Sequence, residues 1–220
     1  SDIPIVCTAI TDFAASGLVK DNDAPGGNVT GTSDMNPVVD QIDLLHQLAP
    51  EAKKVGLLYC TAESNSKIQI ELAAAELKKL GIEGVEYTAS SSNEVQQVVE
   101  SMMGKVDAIY TPTDNTIASA MTVIASIANE HKVPTVCGEV AHVEAGGLAS
   151  LSINYEELGR RAGEMAVRIL TEGAEPAAMP IESMGAAECD LVYNGQTAEA
   201  LGIDVTSLVE DGATDVSAAE

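Results

Sequence analysis

Four polar clusters follow directly on apolar, β-branched runs: Thr8-Ala9-Ile10-Thr11-Asp12, Glu63-Ser64-Asn65-Ser66, Thr113-Asp114-Asn115-Thr116 and Gly138-Glu139. Hydroxyls, amides and carboxylates at such exits can hold a small polar molecule. Helix N-termini bring unpaired N–H groups and favourable dipoles to the carboxyl ends of parallel strands. The carboxylates of Asp12 and Glu139 suit an ammonium group, and the N–H groups around Asn65 and Ser66, at a helix start, suit a carboxylate. A plainer reading stands beside this one, because Ser, Thr, Asp and Asn at helix starts satisfy orphan N–H groups for about 1 kcal/mol in any protein. Taken singly, Asp114 and Thr113 read as caps. Taken together, four polar exits in one sheet fit a shared polar pocket equally well.

Catalytic chemistry finds little support. His46, His131 and His142 are expected on the surface, in helical or loop settings without a neighbouring nucleophile pattern. There is no nucleophile elbow, phosphate loop or metal motif, and Gly26-Gly27 lacks the dinucleotide fingerprint. Glu156-Glu157 reads as helix-start charge. Cys7, Cys60, Cys137 and Cys189 are too scattered for a zinc site or a redox dithiol, and Cys7 and Cys137 are expected as small buried hydrophobes inside strands. The expectation is therefore no metal, no cofactor and no enzymatic turnover.

The elements that must position the polar exits are legible from patterning. Residues 3–9, 55–60, 106–111 and 134–138 read as buried strands, covered on both faces. Helical stripes run through Val38, Ile42 and Leu45; Ile68, Leu72 and Ala75; Val95, Val98, Val99, Met102 and Met103; Ile117, Met121, Ile124 and Ala128; and Leu158, Ala162, Met165 and Ile169. Pro37 lies in the first turn of the first and Pro50 stops it. Ser91 and Glu94 have capping-box spacing, Asn154 with Glu157 opens the last helix, and Gly173 closes it. Strand and helix alternate, as a parallel α/β sheet requires. Gly26-Gly27-Asn28 and residues 171–180 read as crossing or linker stretches, and residues 210–220 as a frayed acidic tail.

Composition narrows the partners. The chain has 220 residues with 45% hydrophobic content, enough for one substantial core or two small ones. Its 34 acidic and 11 basic residues give a formal net charge of −23, which repels phosphate backbones and anionic membranes. Nucleic acid is thus excluded as a partner, and the acidity reads as a solvated surface. No apolar run reaches the roughly 18–20 residues of a membrane-spanning helix. The opening Ser1-Asp2-Ile3-Pro4 lacks signal-peptide character, so the chain is expected to be a mature piece.

Five stretches together carry a resemblance: 3–12, Pro25-Gly26-Gly27-Asn28-Val29-Thr30-Gly31, Val55-Gly56-Leu57-Leu58-Tyr59, 106–115, and Tyr155-Glu156-Glu157-Leu158-Gly159-Arg160. In order and spacing the chain resembles, up to about Ile203, the tryptophan/tyrosine-type (aromatic amino acid) substrate-binding proteins of bacterial ABC importers. The resemblance implies an α/β fold of two Rossmann-like lobes with parallel sheets joined by crossing hinge segments, the ligand trapped between lobes on closure. It places 1–33 and 153–180 in the first lobe, 34–152 and 181–210 in the second, and 211–220 in a flexible tail. Family members carry further βα units before the segment matching Ile3, so the first lobe is expected to be incomplete here. The resemblance puts ligand contacts at Thr8, Thr11, Asp12, Glu63, Asn65, Ser66, Thr113, Asp114, Asn115 and near Glu139. Cys60-Thr61-Ala62 departs from the Asn-Pro-Gly common in the family. An aromatic ligand wants stacking surfaces, and the chain offers no Trp, only Phe13 and five Tyr, with Tyr59 and Tyr110 near strand ends.

The resulting expectation is an extracytoplasmic solute-binding protein, at the cell surface as a lipoprotein or in the periplasm. It would capture a small amino-acid-like ligand and deliver it to an ABC permease. A ligand-sensing domain of a transcription regulator shares this architecture but would place DNA beside a charge of −23. An α/β enzyme using Asp114 or Glu139 as base is the remaining alternative.

Overall fold

The computed structural model describes residues 3–217. The chain forms two compact units, Ser1–Asn36 with Ile153–Cys189 (unit 1) and Pro37–Ser152 with Asp190–Glu220 (unit 2). It therefore passes between units at 36–37, 152–153 and 189–190. Gly26 and residues 171–180, expected as crossings, instead lie inside unit 1, where Gly26 N–H donates to the Ala177 carbonyl.

Unit 1 is small. Strands β1 (Ile5–Thr8), β2 (Val29–Ser33) and β8 (Glu182–Ser183) form a parallel sheet in the order β1-β2-β8. The pairing of β8 with β2 draws the segment after 180 into this unit rather than the other. Helix α6 (Tyr155–Glu172) packs on β1 and β2, opened by the Asn154 side chain accepting from Glu157 N–H and closed by Gly173 at φ 69°. Ile153, Leu158 and Met184 form its buried cluster, and Phe13, Met165 and Met179 are buried as well. The expectation that β1 is covered on both faces is not met: Ile5 is 43% exposed and Cys7 only partly buried, because β1 is an edge strand.

Unit 2 holds β3 (Lys54–Cys60), β4 (Glu83–Ala89), β5 (Ala108–Thr111), β6 (Thr135–Cys137), β7 (Ala149–Ser152), β9 (Asp190–Tyr193) and β10 (Thr214–Asp215), ordered β10-β9-β7-β6-β5-β3-β4. The apolar runs are continuous because successive residues feed opposite cores. Leu57 and Tyr59 of β3, with Tyr110 of β5 and Val136 of β6, join a core beneath α1 (Val38–Leu48) and α2 (Ser64–Lys79). Leu58, Ile109 and Cys137 join the other, beneath α3 (Ser92–Met102), α4 (Asn115–Glu130) and α5 (Val140–Glu144). Each fully buried Leu or Ile contributes about 2 kcal/mol.

Three further expectations are corrected. In α2 the buried stripe is Ile70, Ala73 and Leu77, while Leu72 is 41% exposed; two apolar stripes of equal period compete there, and the one facing β3 and β4 is buried. Glu94 reaches back to the N–H and hydroxyl of Ser90 instead of closing a box with Ser91. The described part of the tail is structured: after α7 (Gly195–Leu201) and α8 (Thr206–Glu210), β10 pairs with β9, and Asp215 accepts from Gly195 N–H. Residues 218–220 lie outside the described residues. Strand β9 runs antiparallel to β7, since Asp190 re-enters opposite Ser152, at the end where β7 leaves the sheet.

Candidate functional site

The sheet order makes β3 and β5 neighbours, yet their connections diverge. After β3 the chain runs through α2 to the edge strand β4, and after β5 it runs through α4, on the opposite face, to β6. Such a switch point opens a crevice at the carboxyl ends of the strands. Glu63, Asn65, Ser66, Thr113, Asp114 and Asn115 all belong to these exits, and the structure brings them together.

Asp114 is fully buried. One carboxylate oxygen accepts from Cys60 N–H at 2.8 Å and Ser66 Oγ at 2.8 Å, and the other caps α4 through Ile117 N–H at 2.9 Å. Burial pushes its carboxyl up, assisted by the Glu63 charge and opposed by these three donors. Both oxygens accept from the protein, so Asp114 ties β3, α2 and α4 together, with Ser66 buried against it.

Glu63 is the N-cap residue of α2 but does not cap it. Its carboxylate crosses to α4, accepting from Asn115 N–H (3.0 Å) and Nδ2 (3.2 Å) with one oxygen and from Thr116 N–H and Oγ1 (both 2.8 Å) with the other. Burial disfavours its charge, and the Thr116 and Asn115 hydrogen bonds outweigh burial and hold the carboxyl below its ordinary range. Two helix starts thus differ in kind. The first N–H groups of α4 are occupied by protein carboxylates, whereas the 16-residue α2 starts with no side-chain cap.

Two buried glutamines, not singled out in the sequence, lock the surrounding backbone. Gln69 accepts from Thr113 N–H and, with Asn65 Nδ2, donates to the Thr113 carbonyl. Gln41 donates to the Gly138 and Leu151 carbonyls and accepts from Tyr110 OH. Both are fully buried, and Gln41 interrupts the apolar stripe of Val38, Ile42 and Leu45, the one signal that could have found it. The β5 and β6 exits are in backbone contact: a Cβ on Gly138 would lie 2.4 Å from Thr113 N and 2.5 Å from Pro112 C.

Beyond Gly138, the Glu139 side chain is 17% exposed and stands over His142. His142 is fully buried, against the expected surface position, because α5 has only five residues and shows no periodicity to read. Its Nδ1 lies 3.1 Å from Thr111 Oγ1, and its Nε2 lies 3.1 Å from Glu139 Oε1 without an aligned hydrogen bond. Cys137, next to Thr111, is a buried thiol pushed up to about 12 by burial.

In unit 1, Thr8 Oγ1 pairs with Thr32 Oγ1 at 2.9 Å, and Ala9, at φ 56°, turns the chain out of β1. Thr11 is buried with its carbonyl accepting from Ser33 Oγ. Asp12 Oδ1 accepts from Ala15 N–H and Asn22 Nδ2, which makes it the cap of a turn. The aromatic candidates are core residues: Phe13 and Tyr110 are fully buried and Tyr59 gives its hydroxyl to Glu86. Among the described residues no group of three or more His, Cys, Asp or Glu could hold a metal.

A family model described as ABC transporter substrate binding protein matches residues 1–217. A protein named tyrosine-binding protein, from Clostridioides difficile (strain R20291), is 42% identical over 206 residues, 94% of this chain and 59% of that protein. The chain thus spans less than two thirds of that relative's length. Two solved structures are similar over the chain. The ABC domain from Streptococcus pneumonia in complex with L-Trp has 40% identity and a TM-score of 0.88, covering 96% of this chain and 72% of that one. A ligand-free, open substrate binding protein with adhesive properties from Clostridium difficile has 42% identity and a TM-score of 0.79, covering 97% and 72%. With the model matched across almost its whole length, this chain belongs to the ABC transporter substrate binding protein family.

Proposed function

We propose that this chain is the capturing part of an extracytoplasmic receptor that binds an aromatic amino acid and passes it to an ABC permease, without turnover. The observation that carries the reading is the contrast of helix starts at the β3–β5 switch point. The start of α4 is filled by Glu63 and Asp114, whereas the start of α2 keeps its N–H groups clear of side-chain caps, as an anion site requires. The carboxylate of the ligand sits there, and Glu139 at the β6 exit takes its ammonium. The similarity to a protein named for tyrosine and to a structure holding L-Trp supports an aromatic side chain. Family membership supports a site outside the membrane and a permease partner. No described helix is long and apolar enough to cross a membrane.

The test is a thermal-shift series with L-Trp, L-Tyr, L-Phe, L-Leu and L-Glu. At 100 times its Kd, a true ligand adds about 2.7 kcal/mol of apparent stability. Shifts from L-Trp or L-Tyr with none from L-Glu support the reading; no shift from any aromatic amino acid overturns it.

A further inference from the structure

The fully buried imidazole beneath the β6 exit has no role in the fold that explains its type. An apolar residue would fill α5's contact with β6 and β7 without the cost of burying two polar nitrogens. Only one of them is satisfied: Nδ1 meets Thr111 Oγ1, while Nε2 faces Glu139 Oε1 at 3.1 Å off the hydrogen-bond axis. Glu139 is equally uncommitted. It occupies the N-cap position of α5 without a side-chain capping bond, and the Val140 N–H goes to Ser152 Oγ. A carboxylate at a ligand-facing exit, 3.1 Å from a buried nitrogen, is a group with two alternative partners.

We propose that His142 is a positioning residue that holds the Glu139 carboxylate at the β6 exit, so that Glu139 meets the ammonium of the ligand. Thr111 fixes the ring from the opposite side, and the hydroxyl contact sets which way Nε2 points. His142 therefore discriminates in favour of ligands that carry an ammonium, although it touches none of them. The inference rests on the proposed amino-acid ligand only for its outcome in binding; the His142–Glu139 contact stands apart from it.

Two measurements separate these. In the ligand-free protein, the ring ¹⁵N resonances of His142 are expected to move on Glu139→Gln at fixed pH; unchanged resonances overturn the contact whatever the ligand is. For binding, His142→Leu fills the space without a donor and His142→Gln restores one. Titrations with L-Trp and with indole-3-propionate, which lacks the ammonium, are expected to show L-Trp weakened about tenfold by His142→Leu, and indole-3-propionate changed by less than about twofold. His142→Gln is expected to recover most of the L-Trp affinity, and His142→Leu to have no further effect in a Glu139→Gln background. Equal weakening of both ligands, or an undiminished effect in that background, overturns the positioning role. If no aromatic amino acid binds the parent protein, the proposed function fails and the resonance measurement alone decides the contact.

Discussion

The two units solve the same problem, burying a sheet of mainly parallel strands, with very different resources. Unit 2 splits its strands between two cores, and Leu57, Leu58, Ile109, Ile117 and Met121 are all fully buried. Among the described residues unit 1 clusters Ile153, Leu158 and Met184 and also buries Phe13, Met165 and Met179, while Ile3 is 71%, Val167 54% and Leu170 82% exposed. The contrast teaches that the candidate site stands on the part of the chain with the greater reserve of burial. Its polar groups are accordingly held by buried carboxylates and amides that a thin core could not hold in place. Local opening should be confined to unit 1.

The strongest way to break this comparison is to weaken unit 2 from its polar ties. Asp114→Ala orphans Cys60 N–H, Ile117 N–H and Ser66 Oγ at once. A loss of about 3 kcal/mol in urea denaturation is expected. A loss below about 1 kcal/mol, with binding abolished, would show that Asp114 serves the ligand rather than the fold. Next is Leu158→Ala, which removes a third of the named unit 1 cluster and is expected to cost about 2 kcal/mol. Hydrogen exchange should speed up in β1 and β2 and stay unchanged in β3 and β5. Equal acceleration in both would show that the units open together, and the comparison would fail.

What the sequence made legible follows the same division. β3, β5 and β6 were readable because a strand buried on both faces is an unbroken apolar run, and the polar exits were readable because they end such runs. β2 was not: Val29-Thr-Gly-Thr-Ser looks like a turn, yet its glycine is required because a Cβ on Gly31 would lie 1.9 Å from the Cys7 carbonyl oxygen. β4 is an exposed edge rich in Glu, and β7 alternates Ser with Ala and Leu, so neither forms an apolar run. At the site, residue types were visible but partners were not. Nothing near Asp114 in the sequence announces Cys60 and Ser66, and nothing near Glu63 announces the start of α4. Long-range hydrogen bonds decide between cap, tie and contact, and single-sequence patterning does not contain them.

A smaller effect separates the two carboxylates at the switch point by the sign of their pH dependence. The Glu63 carboxyl is held below its ordinary value of 4.5, so the stability that it contributes is present above that value and is lost as pH falls through the folded-state value. The Asp114 carboxyl is raised by burial, so its protonation on acidification favours the folded state instead. Glu63→Gln removes the first contribution and lessens the second, which burial still sustains. At pH 7 it is expected to cost about 1 kcal/mol, the worth of a charge at a helix start, and below pH 4.5 its stability should fall less steeply than that of the parent. Parallel acid limbs for parent and variant in urea titrations would mean that Glu63 is not tied to α4 in solution.

The smallest expected effect bears on the outer face of α6. Leu170 is 82% exposed, so Leu170→Ser removes almost no buried area and, in a molecule whose unit 1 has the surface described, should change stability by less than about 0.5 kcal/mol. Leu158, on the inner face of the same helix, is fully buried and supplies the contrast within one element. A loss at Leu170 approaching that at Leu158 would mean that both faces of α6 are covered in solution. The thin core of unit 1 would then be only part of the apolar surface that it buries, and the difference between the units would shrink to the polar ties alone.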